Sequence, residues 1–315
     1  MGFEDPASLH VHVWTHRVRM LSSIFGARSE FRVRLRMCVF HPENMDDTAV
    51  EEVVRLDAAA LTVARFRRFL RDNRPVLVTG ATSDWSATRD WVHEDGSIDV
   101  RALSAAYGHC TVPVVDCRGG DYGEQPRQEV RLSEYLERWS RGDEAGSYMK
   151  DWHFVRDCPG AAAYSTPAPF ADDWLNWWWT ERRGSEDDYR FVYLGPAGTS
   201  TPLHHDVLLS YSWSANVAGC KRWTLFPPSE THKLLDRTGR RLAHDVHLAR
   251  AEAAGEFPAL GGARRVEVVQ RAGEALFVPA GWHHQVVLTA SSWRCICSVA
   301  PQPTLVVERP LHARV

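Results

Sequence analysis

Lysine is nearly missing from this chain: only three of its 37 cationic side chains are lysines, Lys150, Lys221 and Lys233, and the rest are arginines. With 40 acidic residues the net charge is −3, so the basic excess of a dedicated nucleic-acid binder is lacking. The seven cysteines are odd in number and contain no Cys-x-x-Cys spacing, which excludes a complete disulfide framework and fits a reducing compartment. No apolar run approaches the roughly 18 residues that a membrane span needs. Internal repeats and low-complexity tracts are absent as well. These absences point to a cytoplasmic location, with the nucleus as the other reducing compartment open to the chain. What is plentiful is tryptophan, at 13 residues, and histidine, at 15. A 44% hydrophobic and 24% charged composition is that of a globular protein with ample material for a core.

Residues 1–52 read as a disordered extension. Its arginines, Arg17, Arg19, Arg28, Arg32, Arg34 and Arg36, face a lone acid, Glu30, between positions 10 and 40. That bias resembles a transit peptide, but no cleavage signature follows. A compact pattern starts at Thr62, an N-cap residue followed by Val63, Phe66 and Leu70 at helical spacing. Pro75–Thr79 predicts a buried strand, 86–93 and 99–106 short helices, Thr111–Cys117 a strand, and 118–123 a Gly-rich turn. Leu132, Tyr135, Leu136 and Trp139 share one helical face. Residues 53–145 thus form a helix-and-strand elaboration.

From 146 to 300 the texture becomes short β runs, at 148–154, 189–194, 204–218, 222–226, 264–270, 275–279 and 283–289. Helices are expected near 171–182 and 229–236. Along Tyr211–Val217, Ser212, Ser214 and Asn216 face one way and Tyr211, Trp213 and Ala215 the other. Many short strands with turn punctuation predict a mainly β, closed or double-sheet architecture with helical elaboration. Residues 301–315 are a tail.

The chemistry concentrates in Thr201-Pro202-Leu203-His204-His205-Asp206. Two residues apart on a strand, His204 and Asp206 can reach one ion from the same side. The motif alone is weak, because His93-Glu94-Asp95 repeats it in a polar turn and His41-Pro42-Glu43 nearly does. Its company distinguishes it. Lys221 opens a strand soon after, and Phe277-Val278-Pro279-Ala280-Gly281-Trp282 leads into a strand bearing His283 and His284, either of which offers a second imidazole. Two imidazoles and one carboxylate on an open face are the facial triad of non-haem Fe(II) oxygenases, which leaves metal positions free for a cosubstrate and dioxygen. A buried lysine nearby supplies a point charge for the far carboxylate of a dicarboxylate cosubstrate, and Thr201 can add a hydroxyl.

The runs Asp188–Pro196, TPLHHD, SYSWSANVAGCKRW, LFPP and FVPAGWHHQV, with Tyr148–His153 and Asp173–Asn176, resemble the jumonji C oxygenases from about residue 60 to about residue 288. The resemblance implies a double-stranded β-helix of jelly-roll type. It makes His204, Asp206 and His284 ligands of Fe(II), with His283 on the opposite side of its strand. It makes Lys221 the partner of the distal carboxylate of 2-oxoglutarate, with Thr201 assisting and Tyr148 giving a hydroxyl to the same cosubstrate. Strand parity adds Ser214 and Asn216 to that pocket. His205 is left to packing or an outer-shell role, Lys233 to solvent, and Trp177-Trp178-Trp179 to core and contact surface.

The family's activity is oxygen-dependent hydroxylation of protein side chains. The branch resembled most hydroxylates a lysine of a eukaryotic translation release factor, so the implied partner is a protein, with no nucleic acid and no membrane. Relatives continue beyond the last histidine with an asparagine-bearing strand and a long helical region. This chain instead reads Ser291–Ala300, with a strand expected at 294–299, and stops at Val315. Two other readings stand beside the enzyme: a catalytically impaired module that binds a protein, and a histone lysine demethylase. Two of the three lysines, Lys150 and Lys221, fall inside the matching motifs.

Overall fold

The structure, a computed structural model, describes residues 52–118, 125–143, 145–173, 176, 188–247 and 255–289, and the backbone of 294–299. The N-terminal extension, the Gly-rich turn beyond Arg118, Trp177-Trp178-Trp179 and the C-terminal tail lie outside these residues.

Strand β1 (Val54–Asp57) leads to Thr62, whose hydroxyl accepts from the Arg65 amide and opens helix α1 (Val63–Arg71). Strand β2 (Val76–Thr79) pairs parallel with β1. Short helices α2 (Ser86–Asp90) and α3 (Val100–Tyr107) precede β3 (Thr111–Asp116). Strand β4 (Arg127–Arg131) pairs back on β3; its charged RQEVR sequence carries no apolar alternation and gives sequence reading nothing to find. Helix α4 (Leu132–Ser140) buries Leu132, Tyr135, Leu136 and Trp139, as their spacing requires. Then come β5 (Ser147–Trp152), α5 (Phe154–Asp157), β6 (Arg190–Gly195) and β7 (Ser200–His204). The chain ends through β8 (Ser212–Asn216), β9 (Cys220–Phe226), β10 (Val266–Arg271), β11 (Ala275–Val278), β12 (His283–Leu288) and β13 (Arg294–Val299).

Three expectations are corrected. The single strand over 204–218 is two strands, because Val207–Leu209 turns the chain with Leu208 and Leu209 at φ 57° and 51°. The helix near 229–236 is a 3-10 helix over Pro228–Leu234, entered through Pro227-Pro228. Lys233 on it is not simply solvated, since its ammonium donates to the buried Glu230 carboxylate at 2.8 Å.

The strands form two sheets. A nine-stranded sheet has the order β1-β2-β11-β8-β13-β6-β5-β3-β4, and a four-stranded one the order β10-β9-β12-β7. Apart from β1–β2, every strand pair is antiparallel. Strand β13 sits between β6 and β8, which completes the large sheet across its centre. The 53–145 elaboration contributes β1 to β4 to that same sheet. Between the sheets, Leu77, Leu276 and Val278 of the large one meet Trp223, Leu225 and Val286 of the small one. This is a double-sheet β architecture with helices on the outer face.

That outer face explains much of the tryptophan. Trp213 stacks on Phe170 at 5.0 Å, Phe66 packs edge-on against Phe277 at 4.8 Å, and Trp85 meets Trp213 at 6.3 Å. Strand parity places Trp213 and Ala215 in this core and leaves Ser212, Ser214 and Asn216 for the interior between the sheets. Trp213→Ala is expected to lower folding stability by about 3–5 kcal/mol, read as a shift in denaturant midpoint.

Candidate metal centre and cosubstrate pocket

The site is built where the small sheet ends, and an irregularity of β7 assembles it. Thr201 lies opposite Val286 and His204 opposite His284, so three steps along β7 match two along β12. Regular alternation would put residues three apart on opposite faces. The bulge inserts one extra residue and turns both Thr201 and His204 inward, while Leu203 packs into the separate outer cluster with Phe226. Asp206 is not on the strand, as its spacing suggested, but just beyond it, still extended at φ −65°, ψ 155°.

His284 is placed from the other side. Gly281, at φ +72°, makes the tight turn before β12. The Trp282 indole then donates to the Asn73 carbonyl at 3.0 Å, and the Asn73 amide donates to the Ala280 carbonyl at 3.1 Å. This reciprocal clamp ties the entry of β12 to the end of α1.

His204, Asp206 and His284 bring one ligand atom each within 4.8 Å of one another. Both Nε2 atoms approach Asp206 Oδ1, at 4.0 Å from His204 and 3.9 Å from His284, and the ring centroids are 4.2 Å apart. On the far side of each ring, Nδ1 faces a backbone carbonyl, Pro202 at 2.8 Å for His204 and Trp282 at 3.3 Å for His284. Donation through Nδ1–H fixes the tautomer that leaves both Nε2 lone pairs pointing at a common centre. Burial, then the neighbouring His284, push the His204 pKa down to about 3, so the ring is neutral and able to ligate at neutral pH. The His284 side chain is 4% exposed and that of His204 38%, so the centre opens on the His204 and Asp206 side. Two nitrogens and one oxygen, oriented and neutral where needed, suit a divalent transition metal with free positions.

His283 points away from the centre, with Nδ1 3.4 Å from the Thr231 hydroxyl and its ring edge-on to exposed His205 at 5.1 Å. Burial, then the nearby His205, push it down to about 3. An unfolded imidazole protonates near pH 6.5 whereas the buried ring does not, so below that pH the unfolded state binds the extra proton. Stability of the metal-free protein is therefore expected to fall on acidification from pH 6.5 towards 3, by up to about 1.4 kcal/mol per pH unit for this ring. Denaturant midpoints measured between pH 7 and 4.5 should drop, and His283→Gln should flatten the slope. The half-exposed His204 acts in the same direction with a smaller effect.

Deeper between the sheets, Lys221 is wholly buried and donates to Ser214 Oγ at 2.7 Å, with its ammonium 5.6 Å from the Trp223 ring centre. Trp223 lies in turn 5.6 Å from the His284 ring and donates to Gln270 Oε1 at 2.9 Å. The Gln270 amide donates to the Ser214 carbonyl at 2.6 Å. Lys221, Ser214, Gln270 and Trp223 thus form a closed support beside the metal centre. Gln270 carries no sequence signal, being a lone amide in an alternating strand. Tyr148 is buried against Leu288, the cross-strand partner of Lys221, and its hydroxyl is within hydrogen-bond reach of Thr201. Burial raises that phenol well above its ordinary pKa, so it acts as a neutral donor. Its ring lies so close over Gly195 that a Cβ there would sit 2.6 Å from Cδ2. Asn216 faces the interior, yet its amide donates to the Gly219 carbonyl and so holds the β8–β9 turn from which Lys221 starts. Its contacts make it a turn support for Lys221.

A cupin-like domain model matches residues 62–302, most of the chain and every strand that carries a residue of the site. The chain belongs to the cupin-like jumonji C family. The arginine-specific demethylase JMJ20 of Arabidopsis thaliana is 39% identical over 254 residues, 75% of this chain and 54% of its own length. The human 2-oxoglutarate and iron-dependent oxygenase JMJD4 is 40% identical over 248 residues, 73% and 57% of the two chains. Its chicken counterpart is 39% identical over 230 residues, 70% and 53%. This family member therefore spans about half the length of the curated relatives it matches.

Proposed function

We propose that the chain is an Fe(II)- and 2-oxoglutarate-dependent oxygenase that hydroxylates a cationic protein side chain, a lysine of a translation release factor, in the cytoplasm. The observation that carries this reading is the convergence of His204, Asp206 and His284 within 4.8 Å on the side of the sandwich that also buries Lys221. Once bound, Fe(II) with 2-oxoglutarate and dioxygen supplies the power to insert an oxygen atom into a C–H bond, with succinate and CO2 as coproducts. The chain's part is to hold and orient. His204, Asp206 and His284 would occupy one face of the ion. Lys221 would hold the far carboxylate of 2-oxoglutarate, with the Ser214, Thr201 and Tyr148 hydroxyls completing the carboxylate site. Trp223 and Leu288 keep water from the pair, which strengthens it.

The test is incubation of the iron-loaded protein and 2-oxoglutarate with overlapping release-factor peptides, followed by mass spectrometry and succinate assay. One lysine-bearing peptide is expected to gain a single oxygen atom in step with succinate. No peptide-dependent succinate from folded, iron-loaded protein would overturn the enzyme reading in favour of a binding module. The Arabidopsis relative favours a second reading, demethylation of methylarginine; loss of a methyl group from a methylarginine peptide would select it.

A further inference from the structure

The metal centre is not the only place where a strand irregularity redirects side chains. On β5, Met149 lies opposite Leu194 and Trp152 opposite Val192, so three steps of β5 match two of β6. Met149 and Trp152 both go to the outer core. The two residues between them, Lys150 and Asp151, are left together opposite Tyr193 on the other face. Asp151 achieves this with a left-handed backbone, φ 63°, a conformation that aspartate tolerates better than most residues but that still costs energy. Bulges and strained residues of this kind gather at functional sites.

Asp151 ends beside the metal centre. Its Oδ1 accepts from the Tyr193 hydroxyl at 2.8 Å. Tyr193 packs 6.0 Å from Tyr148, and it is near enough to Asp206 for that carboxylate to bear on its phenol. Lys150, the neighbour of Asp151, is likewise near enough for its charge to act on His204. The Asp151 side chain stays 34% exposed, and among the described residues the partner of Oδ2 is a loose one, the half-exposed Arg127 at 3.8 Å. One oxygen is therefore fixed by a neutral phenol, and the other is left partly exposed with a partner that can be exchanged.

We propose that Asp151 receives the cationic head of the substrate side chain, with Tyr193 fixing its carboxylate and Arg127 as the partner that the substrate displaces. This rests on the proposed function, because it names what selects a lysine or a methylarginine for that centre. A displaced surface pair at 3.8 Å costs little, whereas a charge-assisted hydrogen bond made at the mouth discriminates strongly against a neutral side chain.

The experiment uses the full chain loaded with Mn(II), which is paramagnetic and does not turn over, and saturated with 2-oxoglutarate. Three short peptides of otherwise neutral sequence are titrated, carrying one lysine, one methylarginine or one norleucine, and paramagnetic broadening of their side-chain protons is read by NMR. The lysine or the methylarginine peptide is expected to bind roughly 10- to 100-fold more tightly than the norleucine peptide. Asp151→Asn is expected to abolish that preference while leaving Mn(II) and 2-oxoglutarate affinities unchanged. Tyr193→Phe, which keeps the ring and frees the carboxylate, should reduce it partway. No preference in the wild type, or a preference that survives Asp151→Asn, overturns the assignment. Failure to bind Mn(II) and 2-oxoglutarate at all is a different result and overturns the proposed function itself.

Discussion

Asp206→Ala is expected to abolish retention of iron and all 2-oxoglutarate turnover while leaving the fold intact. Asp206 provides the one anionic ligand atom of the centre, 4.0 and 3.9 Å from the two imidazole nitrogens. Without it two neutral imidazoles remain, and metal affinity should fall by well over 100-fold, since even partners one shell further out are worth about 10- to 100-fold. The fold should not notice. Asp206 lies past the end of β7 and makes no ladder hydrogen bond there, so the apo protein should keep its stability to within about 1 kcal/mol. Metal analysis after anaerobic loading, beside a thermal melt of apo protein, separates the two effects. An alanine variant that keeps a full complement of iron would remove Asp206 from the centre.

Lys221→Met should move function and stability in opposite directions. Lys221 is wholly buried, with Ser214 Oγ and the Trp223 ring beside its ammonium. A buried cation carries a desolvation cost, and a well-packed apolar replacement is often neutral or stabilising by about 1–4 kcal/mol. Methionine fills nearly the same volume, so the apo protein is expected to be at least as stable as the wild type. The same change removes the point charge for the far carboxylate of 2-oxoglutarate, and the dissociation constant for the cosubstrate should rise by roughly 100-fold or more. Lys221→Arg keeps the charge but brings a longer, planar fork into a pocket closed by Trp223 and Leu288, and should still weaken binding by about tenfold. Calorimetric titration of 2-oxoglutarate into metal-loaded protein gives the affinities, and denaturant melts give the stabilities. Unchanged cosubstrate affinity in both variants would take Lys221 out of the pocket.

Scarcity of lysine made one of these residues legible. In a chain that otherwise uses arginine, a lysine opening a strand near a His-x-Asp motif stands out, and the structure places it inside the sandwich. Alternation along β8 correctly separated Ser214 from Trp213, because strand parity is a property of the backbone. Parity also marks the limit of such reading. Thr201 and His204 share a face only through the β7 bulge, and Asp151 joins Lys150 on the Tyr148 face only through the β5 bulge. A bulge shifts parity by one residue and leaves no signature in composition. Asn216 shows the converse: its parity was right, but its amide is used on Gly219, which only the turn geometry reveals. Charged edge strand β4, the Asn73–Trp282 clamp and buried Gln270 depend on partners far away in the chain, so local patterns could not show them.

The central claim is that His204, Asp206 and His284 hold iron for 2-oxoglutarate chemistry. The most direct measurement is succinate formed when oxygen is admitted to anaerobically Fe(II)-loaded protein with 2-oxoglutarate, compared in wild type and Asp206→Ala at equal protein. The expected result is succinate in step with 2-oxoglutarate consumed by the wild type and only background in the variant. Equal succinate from both, or none from an iron-replete wild type with any candidate peptide present, would contradict it.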